Sequence, residues 1–181
     1  MIDASRWEAV SRLVNSAFQT SLHVSVSSIG ADGAPVVTPI GSLFLLEPGR
    51  ACYLELTATG LGRRLDADPR VSILVVDSGR LLWVRALLTR RFVRLPAVRL
   101  VGRAETGTRP ATEVDWARFA HRVGALWHLP GGRKLWRRRG SVREVRIEGI
   151  EAVGLGALMP PMHTGPARDP LADAPEPPHA R

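Results

Sequence analysis

The chain has 181 residues, of which 45% are hydrophobic, and a formal net charge of +8. This length and apolar content are typical of one soluble globular domain and exclude a disordered chain. The single cysteine, Cys52, excludes an internal disulfide, and the first residues lack the basic-then-apolar order of a secretory signal. No apolar run approaches the ~20 residues of a membrane-spanning helix. We therefore expect a cytoplasmic protein with no membrane partner.

The positive charge is concentrated in one part of the chain. Residues 80–143 contain 16 arginines or lysines and three acidic residues, whereas the rest of the chain is net negative. Such a segment indicates an anionic partner, for which a nucleic acid, a membrane surface and a phosphorylated small molecule are the candidates. A basic face that is only solvated explains the same composition. Lys134 is the sole lysine among 25 basic residues, a bias that fits either bidentate anion recognition or genome composition.

Periodicity predicts a helix and then an antiparallel meander in the first third of the chain. Apolar residues recur every three or four positions from Ser5 to Phe18, which places them on one helix face. Leu22–Ile29 alternates apolar and polar residues, and a Gly-Asp-Gly turn precedes a second strand that begins at Pro35 and continues through Leu46. A third strand is predicted over 51–57.

The middle of the chain predicts a helix between strands. Thr59–Pro69 has the pattern of a short helix with Thr59 as N-cap, and the buried strand Val71–Val76 follows it. Between Leu81 and Arg94 the apolar pattern fits either a helix or a bent strand. Val98–Glu105 predicts a strand with Gly102 as a candidate bulge.

The last third predicts one more helix, over 111–126, and a terminal strand, Val142–Val153. Beyond Met159 the chain contains seven prolines and almost no large apolar side chains. We therefore expect one domain over 1–158 and a flexible proline-rich tail over 159–181. Deletion of 160–181 is expected to leave folding intact.

Three segments resemble the pyridoxamine 5'-phosphate oxidase-like FMN-binding split-barrel family. They are the hairpin SIGADGAPVVTPIGSLFL, the unit CYLELTATGLGRRLDADPRVSILVV and the strand VRLVGRAE, together covering about residues 20–105. The unit ending in Asp68–Ser72 is the most specific of these. The resemblance implies a mainly β (α+β) fold, namely a six-stranded antiparallel split barrel with flanking helices. It also implies a homodimer that holds FMN in the groove between its subunits.

The resemblance further implies which residues contact the cofactor. The flavin ring would lie along a strand-two segment formed by Thr38, Pro39, Ile40, Gly41 and Ser42. Its phosphate would lie against the end of strand three and the following helix, at Thr57, Thr59, Gly60, Arg63 and Arg64. These residue types supply the hydroxyls, N–H groups and cations that a phosphate dianion needs. The same residues are also explained without a ligand. Thr59 would then only cap the helix, both arginines would be solvated, and Gly41 would allow a bend in the barrel.

The chain also departs from the family pattern near the phosphate. The vitamin oxidase carries a basic residue in strand two and an Arg-Lys pair at the helix start, where this chain has Thr38, Gly60 and Leu61. Arg63 and Arg64 are therefore expected to provide jointly the main cationic contribution to anion binding.

The segment 131–139 interleaves a cation run with a tryptophan. Related split barrels imply that Trp127, Trp136 and Arg138 close the flavin site of the other subunit, whereas nucleic-acid contact and a solvated loop explain the same composition. His121 and His128 lie seven residues apart, but neither a cysteine nor a carboxylate pair completes a metal-ligand set, so no metal is assigned. Some relatives bind haem, which these histidines would suit, although packing or surface roles explain them as well.

Three hypotheses of function follow. Serine-hydrolase elbows, P-loops and dinucleotide-binding glycine patterns do not occur in the sequence. The first hypothesis is an FMN-dependent oxidoreductase acting on a small substrate, without an identified catalytic residue because the cofactor carries the chemistry. The second is a protein that binds flavin, haem or the deazaflavin F420 without turnover. The third is an anion- or nucleic-acid-binding module built on the basic segment.

Overall fold

The structure is a computed structural model that describes residues 2–56, 60–136 and 140–153, with the backbone alone at 133–135. Several predictions concern residues outside these ranges. They are the roles of Thr57, Thr59 and Arg138 and the tail over 159–181.

Eight strands and five α-helices form within the described residues. The helices are α1 (Ala4–Ser21), α2 (Gly60–Ala67), α3 (Arg80–Thr89), α4 (Glu113–Val123) and α5 (Pro130–Leu135), with a 3₁₀ helix over Gly124–His128. The strands are β1 (Val24–Ile29), β2 (Pro35–Ile40), β3 (Leu43–Leu45), β4 (Arg50–Glu55), β5 (Arg70–Val76), β6 (Ala97–Ala104), β7 (Arg109–Pro110) and β8 (Ser141–Ala152). In these ranges we find no helix with the length and apolar character needed to cross a membrane.

The sheet is antiparallel, and its path runs β2-β1-β5-β6-β8-β4-β3, with β7 paired to β8. Its two outermost strands, β2 and β3, are separated in sequence by Gly41 and Ser42 alone. Such a link spans at most ~11 Å between Ile40 and Leu43, so the two edges meet and the sheet curls into a half-barrel. The predicted split barrel with flanking helices is confirmed.

The strand count differs from the predicted six. The expected second strand divides at Gly41 and Ser42 into β2 and β3, and the two-residue β7 adds a further strand. Gly41 lies close to another part of the backbone, because a Cβ there would be 3.3 Å from the carbonyl oxygen of Leu22. The chain turns at this tight position.

Helix α1 closes one end of the curled sheet, as its apolar periodicity predicts. Its buried side chains include Trp7, Val14 and Phe18, which share one core cluster with the inward residues of the strands. The Asp3 carboxylate caps the helix by accepting from the Arg6 N–H at 3.0 Å. The Trp7 indole donates to the carbonyl of Leu46 at 2.8 Å, which ties α1 to the end of β3.

The ambiguous segment after β5 is a helix, α3. The buried carboxylate of Asp77 attaches this region to α1, because it accepts from Ser16 Oγ at 2.8 Å and pairs with Arg94 at 2.6 Å. It also accepts from the Gly79 N–H at 2.9 Å, just before the helix begins. Helix α3 buries a small cluster of Leu82 and Ala86 with Phe92.

The register of β6 and β8 shifts at Gly102, where the sequence predicts an irregularity. Val101 pairs with Gly149 and Gly102 pairs with Ile147, so the extra residue is Glu148 on β8 and not Gly102 itself. A Cβ at Gly102 would lie 3.0 Å from Ile147 Cα and would overlap the Arg146 carbonyl oxygen. Glycine is therefore needed opposite the bulge.

Candidate functional site

The strand-two segment lines a cavity of about 150 Å³. Five of the predicted residues, Thr38 to Ser42, form one wall. The other wall comes from β4 and the start of α2, through Tyr53, Leu54, Glu55, Leu56 and Leu61. The curl of the sheet creates this cavity, because it brings the β2–β3 link over β4.

Arg64 reaches the end of this cavity from α2. Its Nε donates to Ser28 Oγ at 2.9 Å, and its Nη2 donates to Thr38 Oγ1 at 3.0 Å. The guanidinium also passes the first residue of α2, since a Cβ on Gly60 would lie 2.7 Å from Arg64 Nη1. Within the described ranges, no carboxylate oxygen lies within 4.0 Å of it. The Arg64 guanidinium is therefore hydrogen-bonded to neutral hydroxyls and has no ion-pair partner among the described residues.

Arg63 lies elsewhere, although it is adjacent in sequence. Its side chain is exposed, while Arg64 is half-buried. Successive helix residues point about 100° apart, so only one of the two arginines can face Thr38. The structure thus brings Thr38, Gly60 and Arg64 together and leaves Arg63 in solvent.

A buried phenol, Tyr53, lies in the wall of this cavity. Its hydroxyl makes no hydrogen bond of ordinary geometry among the described residues, and Arg143 and Glu55 are its charged neighbours. Burial raises the pKa of Tyr53 well above its ordinary value, so the phenol is neutral. The Ser42 hydroxyl is already used, because it donates to the Leu54 carbonyl at 2.9 Å. Ser42 therefore holds the wall in place.

A buried ionic network supports the opposite side of the cavity. Arg143 is almost completely buried, pairs with Asp66 at 2.7 Å and lies 3.4 Å from Glu55. The Arg143 guanidinium lowers the pKa of Asp66. Glycine at 62 gives this network room, because a Cβ there would lie 3.1 Å from Glu55 Cδ and 3.3 Å from Arg143 Nη2. Sequence patterns do not reveal Arg143, since it is one of several charged residues on β8, among them Glu144 and Arg146.

A second cavity, of about 310 Å³, adjoins the first and shares Gly41, Ser42 and Leu56 with it. Its remaining lining is Phe18, Leu22, Phe119, Arg122, Val123, Leu126 and Trp136. Trp136 stacks on Trp127 with ring centroids 5.7 Å apart and an interplanar angle of 13°. Both tryptophans pack against Phe119 of the same chain. Trp136 lines this cavity of its own chain, and a contribution to the partner's site stays a prediction.

Four arginines of the basic segment pair with carboxylates of the described residues. Arg109 pairs with Asp115 and Glu144, and these contacts also support the capping box at the start of α4. Further arginines that pair with carboxylates are Arg94, Arg99 and Arg143. The composition therefore overstates the charge available to an outside anion.

The family model for pyridoxamine 5'-phosphate oxidase matches residues 12–153. The chain belongs to the pyridoxamine 5'-phosphate oxidase family. No curated protein matches the chain.

Solved structures agree with this assignment at the level of the fold. An FMN-binding protein from Syntrophomonas wolfei has a TM-score of 0.54 at 11% identity, covering 82% of this chain and 88% of its own. An F420 reductase has a TM-score of 0.51 at 18% identity, covering 76% and 94%. HupZ of Group A Streptococcus has a TM-score of 0.50 at 20% identity, covering 85% and 100%.

This member of the pyridoxamine 5'-phosphate oxidase family places a cation beside Thr38 from a helix. The guanidinium comes from the second turn of α2 and not from strand two itself. His121 and His128 are exposed, and in the described ranges no three histidine, cysteine or acidic residues form a metal site. Arg64 thus lies beside Thr38, the position at which the vitamin oxidase carries a basic residue in strand two.

Proposed function

We propose that the protein binds FMN along the β2–β3 link and acts as a flavin-dependent oxidoreductase on a small molecule. The observation that carries this proposal is the position of Arg64, whose guanidinium lies against the Ser28 and Thr38 hydroxyls without a carboxylate partner in the described ranges. A half-buried cation without a counter-ion favours an anionic ligand. The phosphate of FMN supplies that charge.

The residues present fit the phosphate end of such a cofactor. Arg64 and two hydroxyls provide charge-assisted donors for a phosphate at one end of the cavity. The smaller cavity leads from this group along Thr38 to Ser42, the segment on which the flavin ring would lie.

Bound FMN would supply the electron and hydride chemistry of the reaction. The role of this chain would be to bind, orient and exclude water. Arg64 would hold the phosphate, and the Ser42 hydroxyl would keep the link against β4. Glu55 is the single acidic side chain of the smaller cavity, and it faces Arg143. No proton-transfer role is assigned to it.

The proposal includes a homodimer in the cytoplasm. The outer face of β2, β1 and β5 carries exposed apolar side chains, among them Val37 at 61% and Leu74 at 38% exposure. A two-fold contact would cover such a face symmetrically. Analytical ultracentrifugation at micromolar concentration should give a dimer, and a species near the chain mass of 19.7 kDa would refute it.

The phosphate role of Arg64 is tested with two matched variants, Arg64→Met and Arg63→Met. Charge-assisted hydrogen bonds contribute about 1.5–3 kcal/mol, so Arg64→Met should weaken FMN binding by roughly 10- to 100-fold. Riboflavin lacks the phosphate, and its affinity should hardly change. Arg63→Met should have a much smaller effect, since that side chain is exposed.

The outcomes separate the alternatives. Equal losses of FMN and riboflavin affinity in Arg64→Met would mean that Arg64 supports the fold. Unchanged affinity for both would remove Arg64 from the site. Equal effects of the two variants on FMN would restore the joint role expected from the sequence.

Binding without turnover is the second candidate function. It is favoured because the one acidic group of the smaller cavity is engaged by Arg143. A visible absorption spectrum of the purified protein distinguishes flavin from haem and from the deazaflavin F420, which is named for one structural neighbour. Anaerobic addition of reduced nicotinamide should bleach a bound flavin if the protein is an oxidoreductase. A stable flavin spectrum in the presence of candidate reductants would favour a carrier.

A further inference from the structure

Arg122 lies in the wall of the 310 Å³ cavity under unusual conditions. Its guanidinium carbon lies 4.2 Å from the ring centroid of Phe18 and 4.1 Å from that of Phe44. Both distances are in the range of cation–π contacts, and the ring faces attract the charge of the guanidinium. The side chain is half-buried, and burial lowers the pKa of Arg122 to about 10.

The hydrogen bonds of Arg122 leave part of its capacity unused. One nitrogen donates to the Leu43 carbonyl, and Nη2 donates to Asn15 Oδ1 at 3.1 Å. These acceptors are neutral, and no carboxylate within the described ranges lies within 4.0 Å. A guanidinium has five N–H donors. Three of them are without a protein acceptor among the described residues.

The rest of this cavity is almost entirely apolar. Aromatic and aliphatic side chains form its walls, and Arg122 is the one charged group among the lining residues. A single planar cation in an apolar cavity matches a monoanion with a flat bidentate end, because the guanidinium fork fits a carboxylate. A phosphate dianion would need further cations or hydroxyls, as Arg64 and its neighbours provide in the smaller cavity.

We propose that the Arg122 cavity binds an apolar monocarboxylate, preferably aromatic, with its carboxylate on the guanidinium. The two cavities meet at Gly41 and Ser42, so the ligand would lie beside the segment assigned to FMN. The inference therefore names the substrate class of the proposed oxidoreductase, and its adjacency to the cofactor rests on that proposed function. Carboxylate recognition by Arg122 rests on the cavity alone.

Phenylacetate is the probe, and phenylacetamide is its neutral counterpart of similar shape. Trp136 lines the cavity, so binding should change tryptophan fluorescence, and calorimetry provides an independent affinity. The unmodified protein should bind phenylacetate at least tenfold more tightly than phenylacetamide. This comparison needs no variant. Equal affinities, or no binding of either, would overturn the proposal.

The variant test uses Arg122→Met, which keeps an apolar side chain between the two phenylalanines. The matched control is Arg118→Met, because Arg118 is exposed on the same helix one turn earlier. Arg122→Met should lose at least tenfold in phenylacetate affinity, and Arg118→Met should lose little. If Arg122→Met does not fold, Arg122→Lys keeps the charge but not the fork and should still weaken binding severalfold.

FMN titrations distinguish failure of this inference from failure of the proposed function. Both Met variants should bind FMN like the parent protein. Loss of FMN affinity in Arg122→Met, or displacement of phenylacetate by FMN, would mean that the cavity holds the cofactor and would overturn the inference. Phenylacetate binding in a protein that does not bind FMN would support the Arg122 site and refute the flavin proposal.

Discussion

Gly102→Ala is expected to destabilise the protein strongly, because the glycine faces backbone and not a flexible side chain. A Cβ would lie 3.0 Å from the Arg146 carbonyl carbon and from Ile147 Cα, and it would overlap the Arg146 carbonyl oxygen. Relief requires β6 and β8 to separate where the register shifts. Gly149→Ala is the matched control, since a Cβ there has an ordinary contact of 3.9 Å with Val101 Cβ.

The magnitude follows from two opposing effects. Overpacking against a rigid backbone costs about 3 kcal/mol. Replacing glycine by alanine lowers the entropy of the unfolded chain and returns about 0.4–1 kcal/mol. The net loss at Gly102 is about 2 kcal/mol or more, while Gly149→Ala should be neutral or slightly stabilising.

Urea unfolding followed by far-ultraviolet circular dichroism measures this difference. With a slope of about 2 kcal/mol per molar urea, the midpoint of Gly102→Ala should fall by about 1 M. Its melting temperature should fall by about 4–8 °C. Equal midpoints for the two alanine variants would refute the reasoning, because the close backbone approach would then be absent from the folded protein.

The other predictions concern buried titratable groups. Burial raises the pKa of Cys52 to about 11, so thiol reagents should modify it only on unfolding, and rapid labelling of the native protein would contradict its position. Arg94→Ala should cost about 2–3 kcal/mol because it removes the ion pair of a carboxylate that is 1% exposed, whereas the exposed Arg85→Ala should cost little. Burial favours neutral Asp77, yet the Gly79 N–H, Ser16 and Arg94 hold its pKa below the ordinary value. The stabilisation by ionised Asp77 should therefore be present above pH ~4 and be lost as the pH falls below that value. In unfolding titrations, the free energy of unfolding of Asp77→Asn should fall less steeply with acid than that of the parent protein, and an unchanged slope would contradict this.

The sequence predicts the fold well where periodicity and turn residues are strong. The apolar faces of α1 and of the main strands are local patterns that the structure confirms. The register shifts at Gly102 as well, although the bulged residue is Glu148 on the neighbouring strand. The sequence of α3 fits either a helix or a strand, because its apolar residues lie on all sides of the helix and not along one face. Leu81 and Leu88 are each about 80% exposed although they look like core residues in the sequence.

The candidate site was predictable only in its strand-two wall. Thr38 to Ser42 are contiguous, whereas the residues that complete the site come together through long-range pairing. Arg64 meets Thr38 across 26 positions, and Arg143 meets Asp66 across 77. Arg122 gives no sequence signal, since a cation beside Phe119 and Val123 looks like the edge of a helix face. Its cation–π contacts are with Phe18 of α1 and Phe44 of β3, which are far from Arg122 in sequence.

The central place of β8 in the sheet has a consequence for synthesis on the ribosome. Among the described strands, β3 and β4 join the rest of the sheet through β8 alone. Because N-terminal segments emerge first, the β3–β4 hairpin and the open edge of β6 must wait for residues 141–152. Unpaired strand edges invite association between nascent chains. A messenger RNA truncated before the codon for Ser141 should therefore yield a fragment that aggregates. During synthesis, the nascent chain should need chaperones most just before β8 is translated.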